Sequence, residues 1–262
     1  MILAVDIGNT NLVIGCLKKD KVLFVERLST NTSNTELEYL VNLKTLLDLY
    51  NIDITSIRGS IVSSVVPPLD NIICAALEKL LHSKPLLVGP GVKTGINILM
   101  DNPSSVGSDL IVNAVAGVAD YGAPLIMIDM GTATTISMVD KKGSYIGGMI
   151  IPGVRVSLDS LTSRTSRLPR ISLEVPKKLI GKNTVDCMKS GIIHGQASML
   201  DGMIDRIRED MGEEVPVVAT GGLSHKIIPY CRNEIIYDEQ LTLKGLGLIY
   251  RKNTEKQSGG AN

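Results

Sequence analysis

Tryptophan is absent from the 262 residues and phenylalanine occurs once; aromatics total 3%, so any core must be filled by Ile, Val, Leu and Met. Histidine occurs three times and the four cysteines, Cys16, Cys74, Cys187 and Cys231, lie far apart with no C-x-x-C pair. That scarcity argues against a zinc ribbon or a disulfide scaffold and for isolated thiols in a reducing compartment. Net charge is also lacking: 27 basic and 27 acidic residues cancel, which removes the electrostatic reason to expect a nucleic-acid or membrane partner. The apolar residues 2–5 end at Asp6 with no basic segment before them, so neither a signal peptide nor a transmembrane helix is expected, and a cytoplasmic location follows. In that compartment Asn31-Thr32-Ser33 is not a glycosylation site. No G-x-G-x-x-G fingerprint and no G-x-x-x-x-G-K-[ST] loop occurs, so dinucleotide oxidoreductases and P-loop kinases are poorly supported.

What the chain does contain is 44% hydrophobic residues and an internal repeat. LAVDIGNTNLVIGCLKKDKV, from Leu3 to Val22, matches IMIDMGTATTISMVDKKGSY, from Ile126 to Tyr145, with Asp6 over Asp129, Gly8 over Gly131 and Lys18-Lys19 over Lys141-Lys142. Each copy reads as a strand, a phosphate-sized turn, a second strand, a hairpin and a third strand. Helical spacing follows over 36–50 and 69–82, with a buried strand over 57–66 and a short edge strand over 85–88. The second half predicts a helix over about 188–211, a strand at 215–219 and a closing helix over 239–250. Two α/β lobes are therefore expected, residues 1–120 and 121–252, followed by a disordered polar tail over 253–262. Ligands of open α/β sheets bind beyond the strand ends, which predicts a cleft into which both Asp-bearing turns point.

Gly8 would let the backbone approach a phosphate, with Asn9, Thr10 and Asn11 adding donors, while Asp6 would hold a hydrated Mg²⁺ that bridges phosphate oxygens. Asp129, Gly131, Thr132, Ala133 and Thr134 repeat that design. Thr220-Gly221-Gly222 permits close approach of a base or ribose, or is simply a strand-to-helix turn. Asp109, after Gly107 and Ser108 and before an apolar helical stretch, is either a helix cap or the acceptor of an attacking hydroxyl's proton. Gly147 to Gly153 would form a wall for a small acceptor, contributed by Gly148, Pro152 and Gly153. A helix over 157–168 would put Arg164 and Arg167 on one face, near Arg155 and Arg170.

These motifs, in this order, resemble the type III pantothenate kinases of the acetate kinase, sugar kinase, Hsp70 and actin superfamily. The resemblance covers about residues 1–250: DIGNTN at 6–11, NP at 102–103, VGSD at 106–109, DMGTATT at 129–135, GGMIIPG at 147–153, LP at 168–169, GKNT at 181–184 and TGGL at 220–223. It implies duplicated ribonuclease H-like (actin-like ATPase) lobes, each a mixed sheet with flanking helices. It also implies ATP-dependent phosphorylation of pantothenate, the first step of coenzyme A biosynthesis, by a homodimer using Mg²⁺ and a monovalent cation (K⁺ or NH₄⁺). By position, Asp109 corresponds to the general base, Asp6 to the metal-linked acid and Asp129 with Thr132–Thr134 to the second phosphate site near the monovalent cation. Gly221 and Gly222 correspond to the adenosine site, and Thr184 to a residue lent to the pantothenate pocket by the partner subunit. Gly107, Ser108, Gly148, Pro152, Gly153 and Arg155 complete the expected acceptor pocket. This chain has Met100, Ser105 and Leu110 where the family commonly has Tyr, Glu and Arg. That Arg helps hold the pantothenate carboxylate, and Leu110 cannot, so charge recognition is expected to have moved, to Arg155 or to Arg164 and Arg167. The sequence also admits two rivals: a paralogous kinase for another small alcohol, and a nucleotide-binding module without transfer activity.

Overall fold

A computed structural model describes residues 1–254. The chain divides into two compact units, Met1–Asp120 joined by the segment from Gln240 onward, and Tyr121–Glu239.

In the first unit, β1 (Ile2–Ile7), β2 (Asn11–Lys18) and β3 (Lys21–Ser29) form an antiparallel meander, and β4 (Ser60–Ser64) and β5 (Leu86–Leu87) add in parallel beyond β1, giving the order β3-β2-β1-β4-β5. β1 is buried nearly throughout, as a central strand covered on both faces must be. Its odd residues Leu3, Val5 and Ile7 pack with Tyr39, Leu43 and Leu47 of α1 (Glu36–Leu49) and Leu69, Ile73 and Leu77 of α2 (Pro67–Leu81). Its even residues Ile2 and Ala4 share the opposite core with Val112 and Val115 of the later helix α3 (Ser108–Tyr121). Thr35 and Glu38 close a capping box at the start of α1, and Pro67 and Pro68 open α2 in the first-turn positions where a missing N–H costs nothing. A two-residue strand, β6 (Asn97–Ile98), lies between β5 and α3.

The second unit repeats the meander as β7 (Leu125–Met130), β8 (Ala133–Val139) and β9 (Ser144–Pro152), with β10 (Val217–Thr220) and β11 (Ile236–Tyr237) parallel beyond β7. These five strands are ordered β11-β10-β7-β8-β9, the order of the first sheet with each strand replaced by its counterpart. Their core is closed by α4 (Val154–Arg164) and α5 (Thr184–Met211), through Val154, Leu158, Ile192, Ile193, Leu200 and Ile204. A one-turn helix, α6 (Ser224–Ile227), follows β10. The two α/β lobes expected from the repeat, with the duplicated ribonuclease H-like architecture that the resemblance implies, are thus what the chain adopts.

Three boundaries differ from the sequence reading. The closing helix α7 (Leu241–Thr254) belongs to the first unit rather than to a lobe spanning 121–252. Leu243, Leu246 and Ile249 complete the core that Ile2, Ala4 and Ile61 begin. Gly245 lets α7 lie directly on the Val112 carbonyl, which a Cβ would strike, and Thr242 donates to Asn113 Oδ1 at 2.7 Å. Asn253 and Thr254, assigned to the tail, are the last residues of that helix, and the remainder of the expected tail, 255–262, lies outside the described residues. The helix expected over 157–168 runs instead over Val154–Arg164, starting at the Gly153 cap. Arg155 therefore sits in its first turn, and Arg167 lies beyond its end, so Arg164 and Arg167 do not share a helix face.

Candidate active site

In the first unit, the turn after β1 closes through the Gly8 N–H donating to the Asn11 carbonyl at 3.0 Å. Asn9, Thr10 and Asn11 are exposed at its tip. Thr30, directly after β3, braces it from behind, donating its hydroxyl to the Gly8 carbonyl at 2.6 Å and its N–H to the Thr10 carbonyl at 3.0 Å. Asp6 stands in register with Ser63 of β4, and neighbours in register share a sheet face, so Asp6 is on the α3 side. Ser63 Oγ is 2.9 Å from Ser108 Oγ at the first turn of α3. One strand end thus brings the Asp6 turn and the segment carrying Asp109 together.

Asp109 is partly buried, its Oδ1 accepting the Leu110 N–H at 2.8 Å. Burial pushes its carboxyl above the usual carboxylate range, and the N–H groups of Leu110 and Asp109 itself pull back only part of that rise. A simple helix cap has the opposite tendency, because hydrogen bonds to N–H groups favour the charged form. Gly107 adjoins the Asp109 carboxylate so closely that a Cβ there would strike Oδ1. A carboxyl held partly dry beside a phosphate-sized turn suits proton acceptance.

In the second unit, three glycine turns meet by backbone contact. The Gly131 N–H donates to the Ala133 carbonyl at 3.0 Å. A Cβ on Gly153 would strike the Thr132 carbonyl and lie 2.7 Å from the Gly131 oxygen, so the Pro152-Gly153 turn rests on the phosphate turn. Gly221, at φ +96°, lies against Met130, with its imagined Cβ 2.6 Å from Met130 N. Gly222 beside it is exposed, with open space where a Cβ would be. Gly148 does not join this cluster: it pairs with Ser137, four residues before Pro152 along β9, roughly 13 Å away at strand rise. It lines a separate apolar groove of about 290 Å³ with Ile136, Met138, Met149 and Met211.

Thr134 also stands apart. It shares the α4–α5 face with Ile136 and Met138, is fully buried, and its hydroxyl has no hydrogen-bond partner among the described residues. Asp129 is in register with Thr135 on one side and Thr220 on the other, on the opposite face. That row supplies a carboxylate between two hydroxyls, a hard-oxygen donor set suited to an alkali cation or to phosphate partners. Among the described residues no group of three His, Cys, Asp or Glu is preassembled for a metal. The Asp6 carboxylate still fits Mg²⁺, which is usually held by one or two carboxylates with waters and substrate phosphates.

Arg155, Arg164, Arg167 and Arg170 are all exposed. Thr184 is exposed as the first residue of α5, whose cap Asn183 accepts the Asp186 N–H at 2.9 Å. Sequence reasoning missed Thr30, Ser63 and Ser64, and it held Thr135 and Thr220 within motifs without pairing either with Asp129. For the serines a signal existed, a polar pair inside the apolar run 57–66.

A sequence model of the type III pantothenate kinases matches residues 2–206. The chain belongs to that family. A type III pantothenate kinase from Halalkalibacterium halodurans is 44% identical over 97% of this chain and 100% of its own length. Another, from Bacillus cytotoxicus, is 45% identical over 97% of each chain. Among solved structures, component A of the (R)-2-hydroxyglutaryl-CoA dehydratase of Acidaminococcus fermentans superposes with a TM-score of 0.56 at 14% identity, over 95% of this chain and 96% of that one. That likeness speaks for the fold alone. Within the family match lie the Asp6 turn, Asp109, the Asp129 turn and the start of α5, while Gly221 and Gly222 fall beyond it.

Proposed function

We infer that this chain transfers the terminal phosphoryl group of ATP to pantothenate, the opening step of coenzyme A biosynthesis. Family membership supports the substrate, and one structural observation supports the chemistry: a partly buried Asp109 with a raised carboxyl pKa, tied through Ser108 and Ser63 to the strand end that bears Asp6.

Asp109 accepts the proton of the attacking pantothenate hydroxyl, since phosphoryl transfer needs an aligned acceptor oxygen and a place for its proton. The N–H-rich turns at 8–11 and 131–133 hold phosphate oxygens, and Gly221 and Gly222 receive the adenosine. Asp6 holds Mg²⁺, which neutralises charge on the phosphates. The row Thr135, Asp129 and Thr220 is the place for K⁺ or NH₄⁺; Thr134, facing the other way, contributes no ligand.

Arg155 answers the pantothenate carboxylate. Leu110 cannot, while Arg155 is exposed in the first turn of α4, directly after a glycine that rests on the phosphate turn. Thr184 acts across a homodimer. Leu179, Ile180 and Val185 beside it are exposed apolar side chains, at 66%, 80% and 36%, of the kind a partner covers. No helix among the described residues is long and apolar enough to cross a membrane. The cytoplasmic setting is part of the inferred role in coenzyme A biosynthesis. A coupled ADP-release assay with pantothenate, Mg²⁺ and K⁺ tests the reading, and absent turnover with pantothenate but turnover with another small alcohol would reject the acceptor.

A further inference from the structure

Ser108 is placed unlike an ordinary first-turn serine. Its hydroxyl does not cap its own helix but reaches across to β4. It accepts the Ser64 N–H at 3.0 Å, lies 2.9 Å from the Ser64 carbonyl, and lies 2.9 Å from Ser63 Oγ. One hydroxyl can meet all three: its hydrogen goes to the Ser64 carbonyl, and its lone pairs take the Ser64 N–H and the Ser63 hydroxyl hydrogen.

The reason this place needs a hydroxyl lies in the sheet. The Val65 N–H points to β1, donating to the Ile7 carbonyl at 3.0 Å, so the peptide groups of Ser64 point the other way, toward β5. The β4–β5 ladder pairs Ile61 and Val62 and adds the Val88 N–H on the Val62 carbonyl, which ends two residues short of Ser64. Ser108 fills the place of the strand residue that β5 does not provide. Without it, a donor and an acceptor at a partly buried strand end would lose their partners.

We propose that Ser108 is the positioning residue of the active site, its hydroxyl standing in for a missing β-ladder partner of Ser64 and so fixing Asp109 at the end of β4 beside Asp6. The inference rests on Asp109 being the base. Expected in the acceptor pocket, Ser108 instead has its hydroxyl engaged by Ser63 and Ser64, so it acts through its neighbour. It sets where α3 begins, and the next residue is the carboxylate that must meet the acceptor hydroxyl. Ser63 is the second member of the device, since it both contacts Ser108 and stands in register with Asp6.

The test compares Ser108→Ala, Ser63→Ala, the double variant and Asp109→Asn in steady-state assays across pH, on protein whose active fraction is set by ATP binding. A base misplaced by about an ångström commonly costs up to roughly a hundredfold, so Ser108→Ala is expected to lower kcat about tenfold while the ATP KM stays within about twofold. Water reaching the loosened Asp109 lowers its pKa, so the acid limb of kcat moves to lower pH, a change that mere loss of stability does not produce. Ser63→Ala removes one contact and keeps both Ser64 bonds, so it should lose about threefold, and the double variant should be no worse than Ser108→Ala. Should Ser108→Ala fail to fold, Ser63→Ala carries the same test alone. Wild-type kcat and an unmoved acid limb in the serine variants, with Asp109→Asn inactive, would overturn the positioning role only. Retained turnover in Asp109→Asn would overturn the base assignment, and this inference with it.

Discussion

Two adjacent glycines should differ sharply in their response to the same added methyl group. At Gly221, with φ +96°, an alanine would hold an unfavourable backbone region and press its Cβ to 2.6–2.7 Å from Met130 N, C and O. The backbone term costs about 1–2 kcal/mol, and overpacking against a main chain that cannot swing aside costs about 1–3 kcal/mol. The sum, about 2–5 kcal/mol, is a large share of a stability of roughly 5–15 kcal/mol, yet leaves a folded protein. For a chain of this size it lowers Tm by roughly 4–20 °C, at about 2–4 °C per kcal/mol. Relief of the clash must move Met130, which follows Asp129, so the phosphate turn shifts and the ATP KM should rise about tenfold. At Gly222 a Cβ meets nothing within 4 Å, so Gly222→Ala should leave Tm within about 2 °C of wild type. Any rise in its ATP KM then reports nucleotide lying against that face. Thermal unfolding of both variants, with ATP titrations, decides the matter. Wild-type Tm and ATP KM in Gly221→Ala would refute the contact between the glycine turns.

Asp109→Asn should abolish turnover and keep ATP binding, as measured by calorimetry beside steady-state rates. Because burial raises the Asp109 pKa, the ionised carboxylate opposes folding at neutral pH. Asp109→Asn should therefore melt above wild type at pH 7, with the difference vanishing as acid protonates Asp109, and a wild-type acid limb of activity should lie above the usual carboxylate range. Asp6→Asn should weaken Mg²⁺-ATP affinity and turnover together, and an unchanged Mg²⁺ dependence would remove Asp6 from the site. Arg155→Met should raise the pantothenate KM about tenfold and scarcely alter the ATP KM, with Leu110→Arg in that background recovering much of the loss; a pantothenate KM within about twofold of wild type would refute it.

The repeat made most of the fold legible. Asp6 and Asp129 are 123 positions apart in the sequence, and the two sheets carry them on corresponding strands, β1 and β7. Periodicity found α1, α2 and α5 because each buries one apolar stripe. It could not say which sheet α7 would cover, since an amphipathic helix of Leu and Ile fits any apolar face. The choice turns on Gly245 against Val112 and on Thr242 against Asn113, pairs more than a hundred residues apart in sequence and silent in any local window. The start of α4 was misread for a related reason. A glycine cap at 153 carries no side chain to announce a helix, and the residues that do look helical begin a turn later.

The site shows the limit more sharply. A motif marks residues that lie together in the chain, so DMGTATT drew attention to Thr134, whose hydroxyl faces the α4–α5 core. Side chains along a strand alternate between faces, so the hydroxyls that can act with Asp129 come from its register partners, Thr135 one strand over and Thr220 some ninety residues on. Register follows from the antiparallel pairing of β7 with β8 and the parallel pairing of β7 with β10, neither of which a string match contains. The consequence is measurable. If the cation is held by that row, Thr220→Val should weaken activation by K⁺ by about tenfold, while Thr134→Val, which replaces a buried orphan hydroxyl with a methyl group, should leave K⁺ activation unchanged and hold or raise Tm. The reverse pattern, K⁺ dependence lost with Thr134 and kept without Thr220, would mean that the linear motif and not the sheet register assigns the ligands.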